Sequence, residues 1–361
     1  MSALTNRPPL SVASLRPARP QRMRPAIVIV GLRYGRTVLQ GLMNRNGGGA
    51  FDVAGVCDLD GPLAEEVSAC FGLRRFRCLE EIIETPSVDC VGLFTGPTRR
   101  AGFLDELIAG GKAVLTTKPF ETDVDATAAV LARARQAGLS VHCNSPSPAP
   151  VAELRHMQDL MASGIWGRAV QARASIWASY RETADGSWYD RCEECPAAPI
   201  LRLGIYTLND LCDLFGECQS LDILSSRIRT GRPTADNAVA QMGFPSGVLA
   251  SVQSSFCMDG YMAYQNEIEI LCEGGVIRRQ REASEPGEER TSVAVYAAQG
   301  GMLREVDRQS FSQPSGTYPL EHFANAVVRN QSNSAEYDAR LLRSVALIDR
   351  LRHAETRIAT S

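Results

Sequence analysis

Residues 26–36 read AIVIVGLRYGR, in which a short apolar run leads directly into a glycine loop. A continuously apolar run of this length is typical of a strand buried on both faces, and a glycine placed directly after it is typical of a dinucleotide-binding turn. The usual form of that turn is G-x-G-x-x-G, however, and Arg33 and Arg36 occupy two of its glycine positions. By itself, the loop is therefore only weak evidence for a dinucleotide-binding site.

Downstream of this loop, apolar runs alternate with helical stretches. Further strands are predicted at 51–60, 88–94, 113–117 and 139–143, and helices between them end at Gly72, Gly110 and Gly138. Apolar strands separated by helices are typical of a doubly wound parallel sheet, because the helices cover both of its faces. The sequence therefore predicts an α/β fold that begins with a Rossmann domain.

The pattern changes after the proline-rich stretch 144–150. Helices are predicted at 150–163 and 200–215, and strand-like segments then follow one another with little helix between them, which predicts a large, mostly antiparallel open sheet. Helices return at 319–329 and 335–353. We predict a disordered tail over 1–24, a Rossmann dinucleotide-binding domain over 25–147 and an α+β substrate and oligomerisation domain over 148–361, whose last helices pack back on the Rossmann domain.

The composition excludes several classes of protein. The chain of 361 residues is 44% hydrophobic and 22% charged, with a net charge of −3, so we predict neither nucleic-acid binding nor membrane association. Eleven cysteines, an odd number lying mostly in apolar patterns, indicate free thiols in a reducing, cytoplasmic compartment. Cys192 and Cys195 form C-E-E-C, but no second pair completes a zinc site, and we predict no metal.

An acidic residue supports the nucleotide interpretation. Asp58 ends the second predicted strand, 27 positions after Gly31, where a carboxylate can accept hydrogen bonds from a ribose diol and repel a 2′-phosphate. Asp58 favours NAD, whereas Arg33 and Arg36 leave NADP possible. We expect Gly31 to permit the tight turn and Gly35 to let the backbone approach a pyrophosphate. Asp58 could instead start a turn with Asp60 and Gly61.

A second candidate site follows another buried strand. The segment VLTTKPFE (114–121) places Lys118 at the crevice where parallel sheets bind ligands. A lysine there can anchor a hydroxyl group, and its charge can lower the pKa of a neighbouring acid. Pro119 fixes the direction of the chain. The alternative is a surface lysine that opens a loop.

These features resemble the Gfo/Idh/MocA family of oxidoreductases (glucose–fructose oxidoreductase, inositol dehydrogenase, rhizopine catabolism). The segment FTGPTRRAGFLDELIAGGKAVLTTKPFE is similar to the family's A-T-P-x-x-x-H…A-L-x-A-G-K-H-V-x-x-E-K-P, with Pro97 and Lys118-Pro119 retained. The resemblance covers roughly residues 26–355. It implies a nicotinamide cofactor, NAD or NADP, contacted by the following residues: Gly31, Arg33, Tyr34, Gly35, Asp58, Thr95, Pro97, Lys118, Pro119 and Asn144.

The resemblance also implies a catalytic helix in the second domain. The family's D-x-G-x-H-x-x-D corresponds here to the stretch from Arg202 to Asn209, with Tyr206 in place of histidine, as in the family's tyrosine-containing branches. Tyr206 would then be the acid/base, supported by Lys118, whose charge is expected to lower the phenol's pKa. Trp188 and Tyr189 could wall the substrate pocket, since aromatic faces suit sugar rings.

Arg202 is the clearest departure from the family pattern, because it replaces an aspartate with a cation. It could clamp an anionic substrate, or it could neutralise Asp210 or Glu194. We therefore expect substrate contacts from Lys118, Arg202, Tyr206, Asn209 and Trp188.

The leading hypothesis is a cytoplasmic NAD(P)-dependent oxidoreductase that transfers a hydride between nicotinamide and a secondary alcohol or ketone. Its substrate would be a sugar, a cyclitol, a related compound or an anionic derivative. A non-catalytic NAD(P)-binding sensor, resembling a corepressor, is an alternative, and so is an imine reductase of secondary metabolism. We expect a homodimer or homotetramer formed through the C-terminal sheet.

Overall fold

The computed structural model describes residues 24–44, 49–259, 264–282, 290–312 and 316–359. Apart from Arg24, the tail predicted to be disordered lies outside the described residues. All eleven cysteines are within them, and all are free thiols. In the described part of the chain, no helix combines the length and the apolar character needed to traverse a bilayer.

The first half of the chain forms a parallel sheet with strand order β2-β1-β3-β4-β5 among the described residues. Helices cover both faces of this sheet, as predicted for a doubly wound fold. The elements in chain order are β1 (Ala26–Val30), α1 (Leu32–Met43), β2 (Asp52–Cys57), α2 (Gly61–Phe71), α3 (Leu79–Glu84), β3 (Cys90–Leu93), α4 (Arg100–Ala109), β4 (Ala113–Thr116), α5 (Val124–Gln136) and β5 (Val141–Cys143).

The second half forms a larger mixed sheet, ordered β13-β12-β11-β10-β6-β9-β8-β7-β14 among the described residues. Most neighbouring strands are antiparallel, but β6 pairs with β9 and β7 pairs with β14 in parallel. The elements are α6 (Ala152–Ala162), β6 (Ala169–Trp177), α7 (Ile205–Phe215), β7 (Ser220–Ser226), β8 (Asn237–Gly243), β9 (Leu249–Ser255), β10 (Gln265–Cys272), β11 (Gly275–Arg281), β12 (Arg290–Gln299), β13 (Met302–Ser312), α8 (Leu320–Val328), α9 (Ala335–Ala354) and β14 (Glu355–Arg357).

Each sheet has its own hydrophobic core, and helix α9 packs against both. Tyr337 and Leu341 belong to the core of the first sheet, whereas Ile348 and Leu351 belong to that of the second. The backbone N–H of Cys143 donates to the Tyr337 hydroxyl (2.8 Å), which ties the end of β5 to this helix. Helix α9 therefore helps to hold the two sheets together. The domain boundary between residues 147 and 148 and the oligomeric state stay predictions.

The apolar stripe over residues 37–43 predicts a helix there. Helix α1 begins earlier, immediately after Gly31. Gly31 has a φ of 85°, in the left-handed region, and an added Cβ would lie 2.8 Å from the Phe94 carbonyl group. Glycine is therefore required where the chain leaves β1 beside the end of β3.

The structure gives Gly35 a packing role that the sequence did not indicate. Gly35 is buried on the side of α1 that faces the sheet, where an added Cβ would lie 3.0 Å from both Ile29 and Phe94. Its missing side chain thus allows close packing of helix on strand. The expected approach of its backbone to a pyrophosphate stays a prediction.

A pair of alanine substitutions in α1 tests this packing. We expect Gly35→Ala to lower the free energy of unfolding by about 1–3 kcal/mol, because the new methyl group overpacks the helix–sheet contact. Gly41→Ala is the matched control in the same helix, since nothing lies within 4 Å of a Cβ added there. It should stabilise the protein by about 0.5–1 kcal/mol. Thermal or denaturant unfolding measures both changes, and equal stability of the two variants would contradict the packing role.

Candidate functional site

A large cavity lies at the carboxyl ends of β1 and β3, where the strand order of the first sheet reverses. We call it the glycine-loop cavity. Its volume is about 880 Å³, within the size range of cofactor pockets. Among the predicted site residues, its lining includes Gly31, Arg33, Tyr34, Asp58, Thr95, Lys118, Trp188 and Arg202. The reversal point of a parallel sheet is the usual place for such a site.

The carboxylate of Asp58 is held by the backbone around the glycine loop. One oxygen accepts the N–H of Leu32 at 2.5 Å, and the other accepts the N–H of Asp60 at 2.8 Å. The predicted turn at Asp60 is therefore present, but it does not remove Asp58 from the cavity. Each carboxylate oxygen has a second lone pair that can accept a ligand hydroxyl.

The glycine-loop cavity also contains a polar atom that suits a nucleotide. Among the described residues that line this cavity, the Thr95 hydroxyl oxygen is buried and has no hydrogen-bond partner. A buried hydroxyl without a partner is uncommon and indicates a ligand or water that completes it. Together with the Gly31 turn and Asp58, it fits an NAD(P) molecule.

Lys118 lies where the glycine-loop cavity meets a second cavity of about 680 Å³, which we call the tyrosine cavity. Among the described residues, five tyrosines line the tyrosine cavity: Tyr34, Tyr180, Tyr206, Tyr264 and Tyr318. The Lys118 ammonium donates to the backbone carbonyl of Arg202 and lies 4.8 Å from the centre of the Tyr206 ring.

The surroundings of Lys118 lower its pKa to about 7. Burial is the main cause, and the charge of Arg202 adds to it, while the thiols of Cys143 and Cys195 act weakly in the opposite direction. A lysine with such a pKa changes its charge near neutral pH, as catalytic lysines often do.

Asn144 connects Lys118 to Tyr206 and fixes how the tyrosine can act. Its amide oxygen accepts the backbone N–H of Lys118 at 3.0 Å, so its NH₂ group must face the Tyr206 hydroxyl, to which it donates at 3.1 Å. The Tyr206 oxygen is thus an acceptor in this bond. Its own hydrogen is left for donation to another group.

The net shift of the Tyr206 pKa is upward, opposite to the lowering that we expected. Burial raises the pKa of Tyr206 well above its ordinary value, and the Asn144 hydrogen bond offsets this only in part. The ammonium lies over the ring of Tyr206, as the centroid distance shows, instead of bonding its hydroxyl. Tyr206 is therefore a neutral phenol at any physiological pH.

Arg202 is turned away from the partners that we had expected. Its guanidinium makes two bonds to Glu182, at 2.7 and 2.8 Å, and lies 3.9 Å from the centre of the Tyr189 ring. Asp210 is paired with Arg279, and Glu194 with Arg191. The prediction that Arg202 neutralises Asp210 or Glu194 is therefore wrong.

The bond to Glu182 belongs to a larger ionic cluster beside the glycine-loop cavity. Arg232 donates to Glu182 and to Asp190, both at 2.7 Å, and to Asp185 at 2.9 Å. The charge of Arg202 is compensated inside the protein, so a substrate clamp is not needed to explain this residue.

Several predicted residues lie outside both cavities, as far as the described residues define them. Pro97, Pro119, Asn144 and Gly35 do not line either one. Asn209 is also buried away from them and donates to the Ser145 hydroxyl at 3.0 Å, so it supports the loop after β5 instead of a substrate. Trp188 lines the glycine-loop cavity and not the tyrosine cavity, which Tyr206 lines.

Sequence reasoning missed other residues that build the site. These are Arg100, Tyr180, Glu182, Tyr264 and Arg279. Charged residues outside a recognised motif look like solvated surface in a sequence, and their partners are distant in the chain. The stretch 180–187 carries no motif that would have identified it.

Comparisons with protein families agree with this architecture. Residues 26–145 match the model described as the oxidoreductase family with an NAD-binding Rossmann fold, and residues 154–278 match the GFO/IDH/MocA C-terminal domain. Comparison with the curated proteins gives no match.

Two solved structures illustrate the structural similarity. KijD10, a 3-ketoreductase from Actinomadura kijaniata in complex with NADP and TDP-benzene, is 20% identical with a TM-score of 0.71, over 93% of this chain and 99% of that one. The aldose-aldose oxidoreductase from Caulobacter crescentus, complexed with glycerol, is 18% identical with a TM-score of 0.71, over 92% and 97% of the two chains. At these identities the likeness shows the fold.

A double-mutant cycle tests the partner of Arg202. We expect Glu182→Gln alone to lower the free energy of unfolding by about 2 kcal/mol, because it removes a carboxylate from two largely buried arginines. The destabilisation of the double variant Glu182→Gln/Arg202→Met should differ from the sum of the two single-variant destabilisations by about 1 kcal/mol or more. Denaturant unfolding of the two single variants and the double variant gives this coupling. Additive effects would mean that Arg202 does not depend on Glu182.

Proposed function

The chain belongs to the Gfo/Idh/MocA family of NAD(P)-dependent oxidoreductases, and we propose that it reduces a ketone of a sugar or related polyol to a secondary alcohol. The observation that carries this proposal is the contact among Lys118, Tyr206 and Asn144 at the junction of the two cavities. The glycine-loop cavity would hold the cofactor and the tyrosine cavity the substrate. When bound, the nicotinamide supplies the hydride.

We assign the role of proton donor to Tyr206. Ketone reduction requires a proton at the carbonyl oxygen as the hydride reaches the carbon. The Tyr206 hydroxyl accepts from Asn144 and keeps its own hydrogen for donation. Transfer of that hydrogen leaves a phenolate, which is costly in a buried place unless a cation is near. The Lys118 ammonium, 4.8 Å from the ring centre, stabilises this phenolate.

The lining of the tyrosine cavity supports a sugar-like substrate. Its aromatic rings suit the apolar faces of sugar rings, and their hydroxyls can bond sugar hydroxyls. The names of the two structural relatives, a 3-ketoreductase and an aldose-aldose oxidoreductase, point to the same substrate class.

We further propose NAD as the preferred cofactor, because Asp58 lies at the predicted ribose position and Arg36 is already paired with Glu66 at 3.2 Å. Comparing the dissociation constants of NADH and NADPH tests this preference. Tighter binding of NADPH would overturn it.

Removing one hydroxyl tests the proton donor. Tyr206→Phe should lower kcat for ketone reduction by about a hundredfold or more, while NADH binding stays unchanged, because the phenol acts only in proton transfer. Steady-state kinetics and calorimetry measure the two effects. Tyr296→Phe, a change in β12 that affects a tyrosine bonded to Glu305, is the control and should keep the wild-type kcat.

Wild-type kcat in Tyr206→Phe would overturn the assignment to Tyr206. NADH binding without turnover on a broad panel of ketoses and polyols would favour the non-catalytic sensor instead.

The pH dependence follows from Lys118. Its ammonium is protonated below about pH 7, and only that form stabilises the phenolate of Tyr206. The rate of ketone reduction should therefore be constant below that pH and fall by about tenfold per pH unit above it. Alcohol oxidation needs a proton acceptor and should show the opposite trend. Initial rates of ketone reduction and alcohol oxidation between pH 5.5 and 9 test these opposite trends. The same pH profile for both reactions would contradict the role of Lys118.

A further inference from the structure

Helix α4 begins with an arginine to which neither the sequence patterns nor the proposed function gives a role. Arg100 is only 1% exposed and borders the glycine-loop cavity. It follows Arg99, whose φ of 59° places it in the left-handed region. This turn directs the Arg100 side chain into the protein, whereas Arg99 remains exposed.

Both terminal nitrogens of the Arg100 guanidinium donate to backbone carbonyls. One nitrogen bonds the carbonyls of Thr117 at 2.7 Å and Phe120 at 3.0 Å, and also that of Pro119. The other nitrogen bonds the carbonyl of Thr95. A single side chain thus joins the loop after β3 to the loop after β4. Lys118 lies between two of the residues that it holds.

The charge of Arg100 persists despite its burial. Burial lowers its pKa to about 10, which still leaves it protonated at neutral pH. The groups that act on it from neighbouring elements are the Cys143 thiol, the Glu121 carboxylate and the phenols of Tyr318 and Tyr189.

Glu121 forms a second connection between the loop after β4 and the first turn of α4. Its buried carboxylate accepts the N–H of Ala101 at 2.6 Å and that of Thr122, also at 2.6 Å. The loop that carries Lys118 is therefore bound to the first turn of α4 at two places, by Arg100 and by Glu121.

We propose that Arg100 is a positioning residue for Lys118: it clamps the carbonyls on both sides of the lysine and so holds the ammonium against the Arg202 carbonyl beside Tyr206. Arg100 acts through this loop and takes no part in proton transfer. The planar fork of arginine suits this task, because it offers five N–H donors in fixed directions. A neutral side chain would leave these buried carbonyls without donors.

The functional consequence rests on the proposed role of Lys118, but the positioning can be tested without turnover. Lys112 and Lys118 are the only lysines in the chain. Acetic anhydride acylates neutral amines, so the labelling rate of Lys118 across pH reports its protonation midpoint. Fragment-ion mass spectrometry measures the acetylation of each lysine separately. Lys112 is 2% exposed and bonds two carbonyls, so its labelling reports unfolding.

We expect Arg100→Met to raise the Lys118 midpoint by about one pH unit or more, since a released lysine becomes better solvated. Its kcat should fall by about tenfold to a hundredfold with a smaller change in KM, as misplacement of a catalytic group predicts. Arg100→Lys keeps the charge but not the fork, and it should show a smaller shift in the same direction. Arg99→Met, at the exposed neighbouring position, should match the wild type.

The alternatives give different results. If Arg100→Met raises the Lys118 midpoint but Arg100→Lys keeps the wild-type midpoint, the effect is one of charge alone. That result would overturn the positioning role. Folded variants that keep the wild-type midpoint would overturn it as well. Rapid labelling of Lys112 in both Arg100 variants would show that the residue serves stability only, which also contradicts the proposal. Absence of turnover in the wild type, with the midpoint shifts present, would count against the proposed function but not against the clamp.

Discussion

The bond between the Lys118 ammonium and the Arg202 carbonyl is the contact on which the rest of the site depends. Lys118 follows β4 of the first sheet, whereas Arg202 lies in a π-helical turn, Ile200–Gly204, which leads into α7 beneath the second sheet. The bond therefore brings the carboxyl end of β4 to the start of the helix that carries Tyr206. Burial of the lysine at this junction, together with the charge of Arg202, lowers its pKa to about 7.

Arg202 shows how a change of charge is accommodated at such a site. A guanidinium at a position where the family has a carboxylate would repel Lys118 if it faced the same way. The structure instead turns the side chain toward Glu182 and leaves only the backbone carbonyl facing Lys118. Arg232, Asp185 and Asp190 complete the compensation. The charge of Arg202 is thus compensated by a local ionic cluster, while the Lys118 ammonium stays over the Tyr206 ring.

Much of the fold could be predicted because its signals are local. The apolar runs and glycine stops located β1 to β5, and the glycine loop, Asp58 and Lys118 were correctly expected at one crevice. The ends of elements were less accurate, as α1 shows. The roles of Gly35, Arg100 and Asn209 depend on neighbours from other elements, such as Phe94 for Gly35. Such contacts leave no periodic trace in a sequence, so reasoning from spacing alone could not find them.

The titration of Lys118 tests the account most directly. Because the chain has two lysines, protein labelled with ¹³C at the lysine ε-carbon should give two NMR signals that Lys118→Arg assigns. We predict that the Lys118 signal titrates with a midpoint near pH 7 and responds to added NAD⁺, while that of Lys112 does not respond to the cofactor. A midpoint near the ordinary lysine value of about 10.4 would show an exposed, unconstrained ammonium and would contradict the account.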